Sequence, residues 1–220
     1  RHGDNEGKRM TINCKGESLV LSKDRAIYWE SKKMLIISDL HIGKGAHFRK
    51  AGIQVPADIT GTDLDKLGRL ILKFSPEILL VTGDMFHHKM NSEVEIFKTW
   101  RYQYPELKII LVKGNHDQLK AEDYSGLSIE VQSQEMLCGP FRFIHDQPQE
   151  TDEYYNITGH IHPGVTIYGR ARQHLRLPCF YFGKTCAILP AFSSFTGLSK
   201  IHAGEGDRFY VITPEKVLAV

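Results

Sequence analysis

Met34-Leu35-Ile36-Ile37-Ser38-Asp39-Leu40-His41 is the stretch that decides the fold. A short unbroken apolar run is typical of a strand buried on both faces. Polar residues begin where that strand ends. The pattern recurs: Ile78-Leu79-Leu80-Val81 leads into Thr82-Gly83-Asp84, and Ile109-Ile110-Leu111-Val112 into Lys113-Gly114-Asn115-His116-Asp117. Between the first two runs, Leu64, Leu67, Ile71 and Phe74 repeat at helical spacing, with Thr60 or Thr62 as the expected N-cap. Between the next two, Ser92-Glu93-Val94-Glu95 has the pattern of a capping box and opens a helix through Phe97 and Trp100. Two strand–helix–strand units imply a parallel sheet.

Working outward, Leu19-Val20-Leu21 and Ala26-Ile27-Tyr28-Trp29 read as strands joined by a turn at 22–25, and 44–50 reads as a basic loop. After Ile129 helical signals fade. Strands are expected at 141–144, 154–157, 164–168, 179–182, 186–189 and 209–212. No repeat or linker divides the chain of 220 residues, so 10–220 reads as a single domain. Residues 1–9 read as a flexible arm or an expression remnant.

Hydrophobic residues make up 41% and charged residues 25%, as in an ordinary soluble domain. A net charge of +2 is too mild to identify a nucleic-acid binder and too mild to exclude one. Cys14, Cys138, Cys179 and Cys186 form no C-x-x-C pair, which points to free thiols in a reducing compartment, the cytoplasm. No apolar run is long enough to span a bilayer, so no membrane partner is expected.

The chemistry sits at strand ends. Asp39 and His41, Asp84, Asn115 and His116, His145, and His160 and His162 each follow an expected strand. That edge of an open α/β sheet is where ligands usually bind. Asp39 and His41 are two apart, as are His160 and His162, so in extended chain each pair would project to one side. Imidazole with carboxylate suits Mn, Fe, Zn, Co or Ni rather than Ca or Mg. Asp84 is the natural carboxylate to bridge two ions, with Gly83 allowing a tight turn. Seven ligands with two negative charges would leave a divalent pair net positive, able to attract phosphate and acidify water. Any one of the eleven histidines, taken alone, is more often a surface or core residue. Five ordered clusters, each after a strand, are not explained that way.

The set Asp39-Leu40-His41, Gly83-Asp84, Gly114-Asn115-His116-Asp117, His145 and Gly159-His160-Ile161-His162 resembles the calcineurin-like metallophosphoesterases. The resemblance implies an α/β fold of two mixed β-sheets packed as a sandwich flanked by helices. It implies one metal held by Asp39, His41, Asp84 and His162, and a second by Asp84, Asn115, His145 and His160. It also implies attack by a metal-bridging hydroxide, with His116 near the leaving group.

Asp39-Leu40-His41-Ile42-Gly43-Lys44, Gly52-Ile53-Gln54-Val55-Pro56 and Leu189-Pro190-Ala191-Phe192 are similar to a bacterial ligase-associated DNA-damage-response branch. That branch implies two divalent ions, manganese first, and a nucleic-acid phosphodiesterase or endonuclease in DNA repair. It further implies association with an ATP-dependent DNA ligase and a helicase. Many superfamily members carry an acid three positions after the bridging Asp, where it orients the motif histidine. Here that position is His87, which leaves three readings for it: Asp117 substitutes as the partner of His116, His87 touches substrate, or His87 and His88 form a solvent-exposed pair. Lys44, Arg49 and Lys50, with Phe48 among them, form the expected substrate-binding segment. Ser193-Ser194-Phe195-Thr196-Gly197 is a second candidate wall. A phosphomonoesterase or nucleotide hydrolase would share this metal site. A non-enzymatic scaffold would be expected to lose ligands, and none is missing.

Overall fold

The computed structural model describes residues 9–56, 58–87, 91–148, 153–168 and 174–220. Of the arm expected at 1–9, only Arg9 lies among them, its guanidinium over the Phe74 ring. His88 lies outside.

The first sheet takes its strands in chain order: β1 (Met10–Cys14), β2 (Glu17–Ser22), β3 (Ala26–Trp29), β4 (Met34–Ile37), β5 (Ile78–Thr82), β6 (Lys108–Val112) and β7 (Ile129–Gln132). From β1 to β4 neighbours are antiparallel, and from β4 to β7 they are parallel. Two helices cross over within the parallel half, α2 (Ile59–Phe74) and α3 (Ser92–Arg101), and α4 (Ala121–Gly126) leads into β7. A short helix α1 (Lys44–Lys50) precedes α2.

The second sheet holds β8 (Glu135–Cys138), β9 (Phe141–Ile144), β10 (Tyr155–Thr158), β11 (Pro163–Tyr168), β12 (His174–Phe182), β13 (Cys186–Ile188), β14 (Ser199–Lys200), β15 (Arg208–Ile212) and β16 (Val217–Ala219). It is mixed as well, with β10 parallel to both β9 and β13.

The strand period of two explains the layers. Leu35 and Ile37 face one core with Leu79, Val81 and Leu111, packed on Leu64, Leu67, Phe97 and Trp100 of the helices. Met34 and Ile36 face the other core with Leu80 and Ile110, packed on Phe141, Phe143, Phe180 and Phe182 of the second sheet. A strand sandwiched this way has no polar face, which is why its sequence is continuously apolar. Each fully buried large side chain contributes about 1.5–3 kcal/mol by leaving water. This core holds the strand ends rigidly.

Differences from the sequence reading cluster at helix starts. The N-cap of α2 is Asp58, which accepts from Gly61 N at 3.1 Å, not Thr60 or Thr62. The N-cap of α3 is Asn91, accepting from Glu93 N at 3.0 Å, so Ser92 already lies inside the helix. The expected box between Ser92 and Glu95 therefore does not form, and Glu93 serves a different purpose. Its buried carboxylate takes the Gly43 N–H (3.0 Å), the Thr60 hydroxyl (2.8 Å) and the Arg49 guanidinium (2.6 Å). Those bonds turn 44–50 into a helix where the sequence reads as a loop. The four cysteines are free, and no helix among the described residues is long and apolar enough to cross a membrane.

Candidate active site

The C-terminal ends of β4, β5 and β6 meet those of β9 and β10 along one edge of the sandwich. Backbone bonds join the emerging loops: Asp39 N to Gly83 O (3.0 Å), His41 N to Asp84 O (2.9 Å) and Gly159 N to His145 O (3.0 Å). The loops are not extended, which corrects the same-side argument from spacing. Asp39, His41, Asp84, His160 and His162 all have left-handed backbones, with φ of 55°, 51°, 51°, 66° and 55°. Side-chain-bearing residues adopt that region rarely and at a cost, and such strain collects at functional sites. Gly83 (φ 83°) has a further reason to be glycine, since a Cβ there would overlap the His145 ring. Gly159 lies against the Ser38 hydroxyl in the same way.

Two groups of donors result. Asp39, His41 and His162 bring one ligand atom each within 4.8 Å of one another, and so do Asp84, His145 and His160. Asp39 and His41 thus stay together, whereas His160 and His162 part into different groups. Asn115 is exposed at the end of β6. Its neighbour His116 is anchored by its N–H to Asp84 Oδ1 (2.9 Å), and its ring Nε2 lies 4.0 Å from Asp84 Oδ2.

The residues fit a pair of metal ions. Asp39 Oδ1, His41 Nε2 and His145 Nε2 are buried and make no hydrogen bond. Buried polar atoms are ordinarily satisfied, so several left over at one place indicate a partner that is neither protein nor bulk water. The spare positions are fixed from behind. His160 N donates to Asp39 Oδ2 (3.1 Å), and the Ser38 hydroxyl lies 2.6 Å from the same oxygen, which leaves Oδ1 for a metal. The Thr82 carbonyl lies 3.0 Å from His145 Nδ1. A carbonyl only accepts, so that contact holds a proton on Nδ1 and leaves Nε2, 3.3 Å from Asp84 Oδ2, as the atom that would bind a metal in exchange for its proton.

Protonation follows the same arrangement. Burial pushes His41 down to about 4, against the pull of Asp39 and Asp84. Burial also works against a charge on His145, but Asp84 and Asp39 prevail and raise it to about 9. Burial would raise Asp84, yet contact with His145 and the His116 N–H holds it well below the usual carboxylate range. Asp84 is thus an anion wherever the site operates.

A sequence model of the family described as Calcineurin-like phosphoesterase matches residues 32–199, which includes every donor above. The chain belongs to the calcineurin-like phosphoesterases. As such it is a metal-dependent hydrolase of phosphoesters. Among solved structures, this phosphoesterase is similar to Pseudomonas putida nuclease MPE, at 31% identity over 97% of this chain and 100% of that one, with a TM-score of 0.80. A weaker likeness, at 13% identity and a TM-score of 0.45, covers 85% of this chain and 97% of Yfce, a phosphoesterase from E. coli. No curated protein matches the sequence.

Around the phosphoesterase centre, the remaining expected residues take different places. His87 is buried and stacks on His116, with ring centroids 4.9 Å apart and planes 19° from parallel. Asp117 does not orient His116. Its oxygens accept from Phe86 N and Gly114 N, both at 2.9 Å, and so tie the Asp84 loop to the Asn115 loop. Burial raises that carboxyl to about 6. The basic trio divides. Lys44 is half-buried, and burial lowers its pKa while the charges of Asp39 and Asp84 hold it up, which places it within their reach. Arg49 turns to Glu93 and to the Pro56 carbonyl (3.2 Å). Lys50 is exposed. Phe48 lies 6.1 Å from Phe195, so α1 and the 193–197 segment meet as one wall.

Sequence reasoning missed Ser38, Thr82 and Glu93. Ser38 stands beside a ligand but matches no motif, and Thr82 acts through its carbonyl, which no side chain announces. Glu93 lay unremarked inside the expected capping-box stretch, and its partners Gly43, Arg49 and Thr60 are distant in sequence.

Proposed function

We propose that this phosphoesterase is a phosphodiesterase acting on nucleic acid, in the setting of DNA repair. The observation that carries the reading is the pairing of two donor groups with an aromatic and basic wall: Phe48 and Phe195, with Lys44 Nζ 5.8 Å from the Phe48 ring centroid and the Phe48 ring 6.2 Å from that of His87. Bases stack on such rings while lysines track phosphates. A monoesterase has no need of a platform beside its phosphate site. The nuclease name of the Pseudomonas putida protein supports the same reading.

Asp39, His41 and His162 would hold one divalent ion. Asp84, His145 and His160 would hold the other, with Asn115 alongside and Asp84 shared. Manganese fits these nitrogen and oxygen donors, as do Fe, Zn, Co and Ni. When bound, such ions supply Lewis-acid activation of the phosphoester and of water. The chain's own part falls to His116. Its ring is 35% exposed on the solvent side of Asp84, where it can protonate a departing alkoxide, and stacking on His87 fixes its plane. The motifs similar to the ligase-associated branch support an assignment beside an ATP-dependent DNA ligase and a helicase, which co-purification tests.

Turnover of single-stranded DNA, RNA, a bis-nitrophenyl phosphate and a mono-nitrophenyl phosphate, with manganese added, tests the main reading. Cleavage of nucleic acid and of the diester well above the monoester is expected. Preference for the monoester would overturn it.

A further inference from the structure

Behind the donors, away from solvent, lies a charged cluster that the proposed chemistry does not use. Lys66 of α2 is 9% exposed and Asp63, one turn earlier, 3%. Lys66 Nζ lies 3.5 Å from Asp63 Oδ1, 2.5 Å from the Phe192 carbonyl and 3.9 Å above the centroid of the Phe192 ring. Arg25, in the turn between β2 and β3, donates from Nη1 to the carbonyls of Ala191 (3.2 Å) and Ser193 (3.0 Å). Three successive carbonyls are each met by a cation.

The other edge of the same segment faces the site. Phe192 N donates to the Ser38 carbonyl (2.8 Å) and Ser193 N to the Asp39 carbonyl (3.2 Å). A cation on a peptide's C=O polarises that peptide and strengthens the bond made by its N–H. Arg25 therefore acts through the 191–192 peptide on Ser38, and Lys66 through the 192–193 peptide on Asp39. Ser38 in turn places its hydroxyl 2.6 Å from Asp39 Oδ2. Asp39 needs such support, because a left-handed aspartate persists only where its surroundings over-determine it. The cluster is poorly suited to stabilise the fold: Asp63 is within ion-pair distance of Lys66 and not of Arg25, the two cations repel, and a buried charge whose compensation is incomplete costs stability. Burial pushes Lys66 down to about 8 even with Asp63 beside it.

We propose that Lys66 and Arg25 are positioning residues for the Asp39–His41–His162 metal site, acting through the 191–193 backbone that braces Ser38 and Asp39. The inference rests on the ligand set given under the proposed function. Neither residue touches substrate or metal.

Manganese is titrated calorimetrically into the metal-free full chain and into Lys66→Met, which leaves the bonds of Arg25 to the Ala191 and Ser193 carbonyls in place and keeps most of the side-chain volume. Wild type is expected to take up two ions. The variant is expected to bind one of them about 10–100-fold more weakly, the range typical for groups that orient a ligand, and the other unchanged. Its metal-free melting temperature should fall by no more than about 4 °C, and Lys66→Arg should restore the weakened affinity. Two unchanged affinities would overturn the proposal. So would equal loss at both sites with a larger drop in melting temperature, because Lys66 would then only support the fold. Should Lys66→Met not fold, Lys66→Gln is read by the same outcomes. Failure of wild type to take up two ions would instead refute the ligand set itself.

Discussion

The strand ends that carry the donors and the α1 segment that borders them are neighbours built on different principles. The donors follow fully buried strands, their loops are stitched by backbone bonds, and their left-handed backbones are held in place by the sandwich beneath. Helix α1 has no side-chain cap and is tied down by Glu93, which serves Gly43, Thr60 and Arg49 together, and by Asn91, whose amide donates to the Gly43 carbonyl. Chemistry that tolerates no misplacement is mounted on the core. The surface proposed to meet nucleic acid is mounted instead on polar bonds to α3.

Asp84→Ala is expected to have the largest effect. As the proposed shared carboxylate, it should take both ions with it, and metal analysis should find both sites depleted and turnover abolished. Full occupancy in that variant would break the account of a rigid, shared centre.

His116→Ala should keep both ions and lose about 10²–10⁴-fold on nucleic acid, the usual worth of a general acid. It should lose much less on a nitrophenyl diester, whose leaving group hardly needs a proton. Equal losses on the two substrates would favour electrostatic stabilisation of the phosphoryl oxygens over proton donation.

Glu93→Ala separates the two regions. Releasing three donors from a buried carboxylate should cost about 1–3 kcal/mol of stability and raise KM for DNA, while turnover of the small diester and metal content stay as they were. If metal content fell with it, α1 would have to be counted part of the rigid centre.

The smallest expected effect is electrostatic. Lys44→Ala and Lys50→Ala should each flatten the salt dependence of single-strand binding by about 0.7 in the log–log slope. Arg49→Ala should instead resemble Glu93→Ala, because its charge is already matched. Salt slopes that treat the three residues alike would remove that distinction.

The same contrast explains what could be read in advance. The parallel strands and the donors after them were legible because burial on both faces leaves a continuous apolar run, and polar residues mark its end. Met34–Ile37 followed by Asp39 and His41 needs no tertiary knowledge. Helix α1 was not legible, since the side chains that hold it in place, Glu93 and Asn91, are distant in sequence. The capping residues Asp58 and Asn91 were missed by one to four positions because several polar residues compete at each helix start. The left-handed turns were hidden as well, for spacing alone cannot tell an extended pair from a folded one. The assignment of His160 and His162 to separate ions came only from family resemblance. The role of Asp117 became clear only once its oxygens were found on Phe86 and Gly114.

The two donor groups are proposed to hold two ions side by side. Crystals grown with manganese and measured at its absorption edge test this most directly. The account predicts two anomalous peaks about 3.5–4 Å apart, one against Asp39, His41 and His162 and the other against His145 and His160, with Asp84 between them. A single peak, or ions away from these residues, would contradict it.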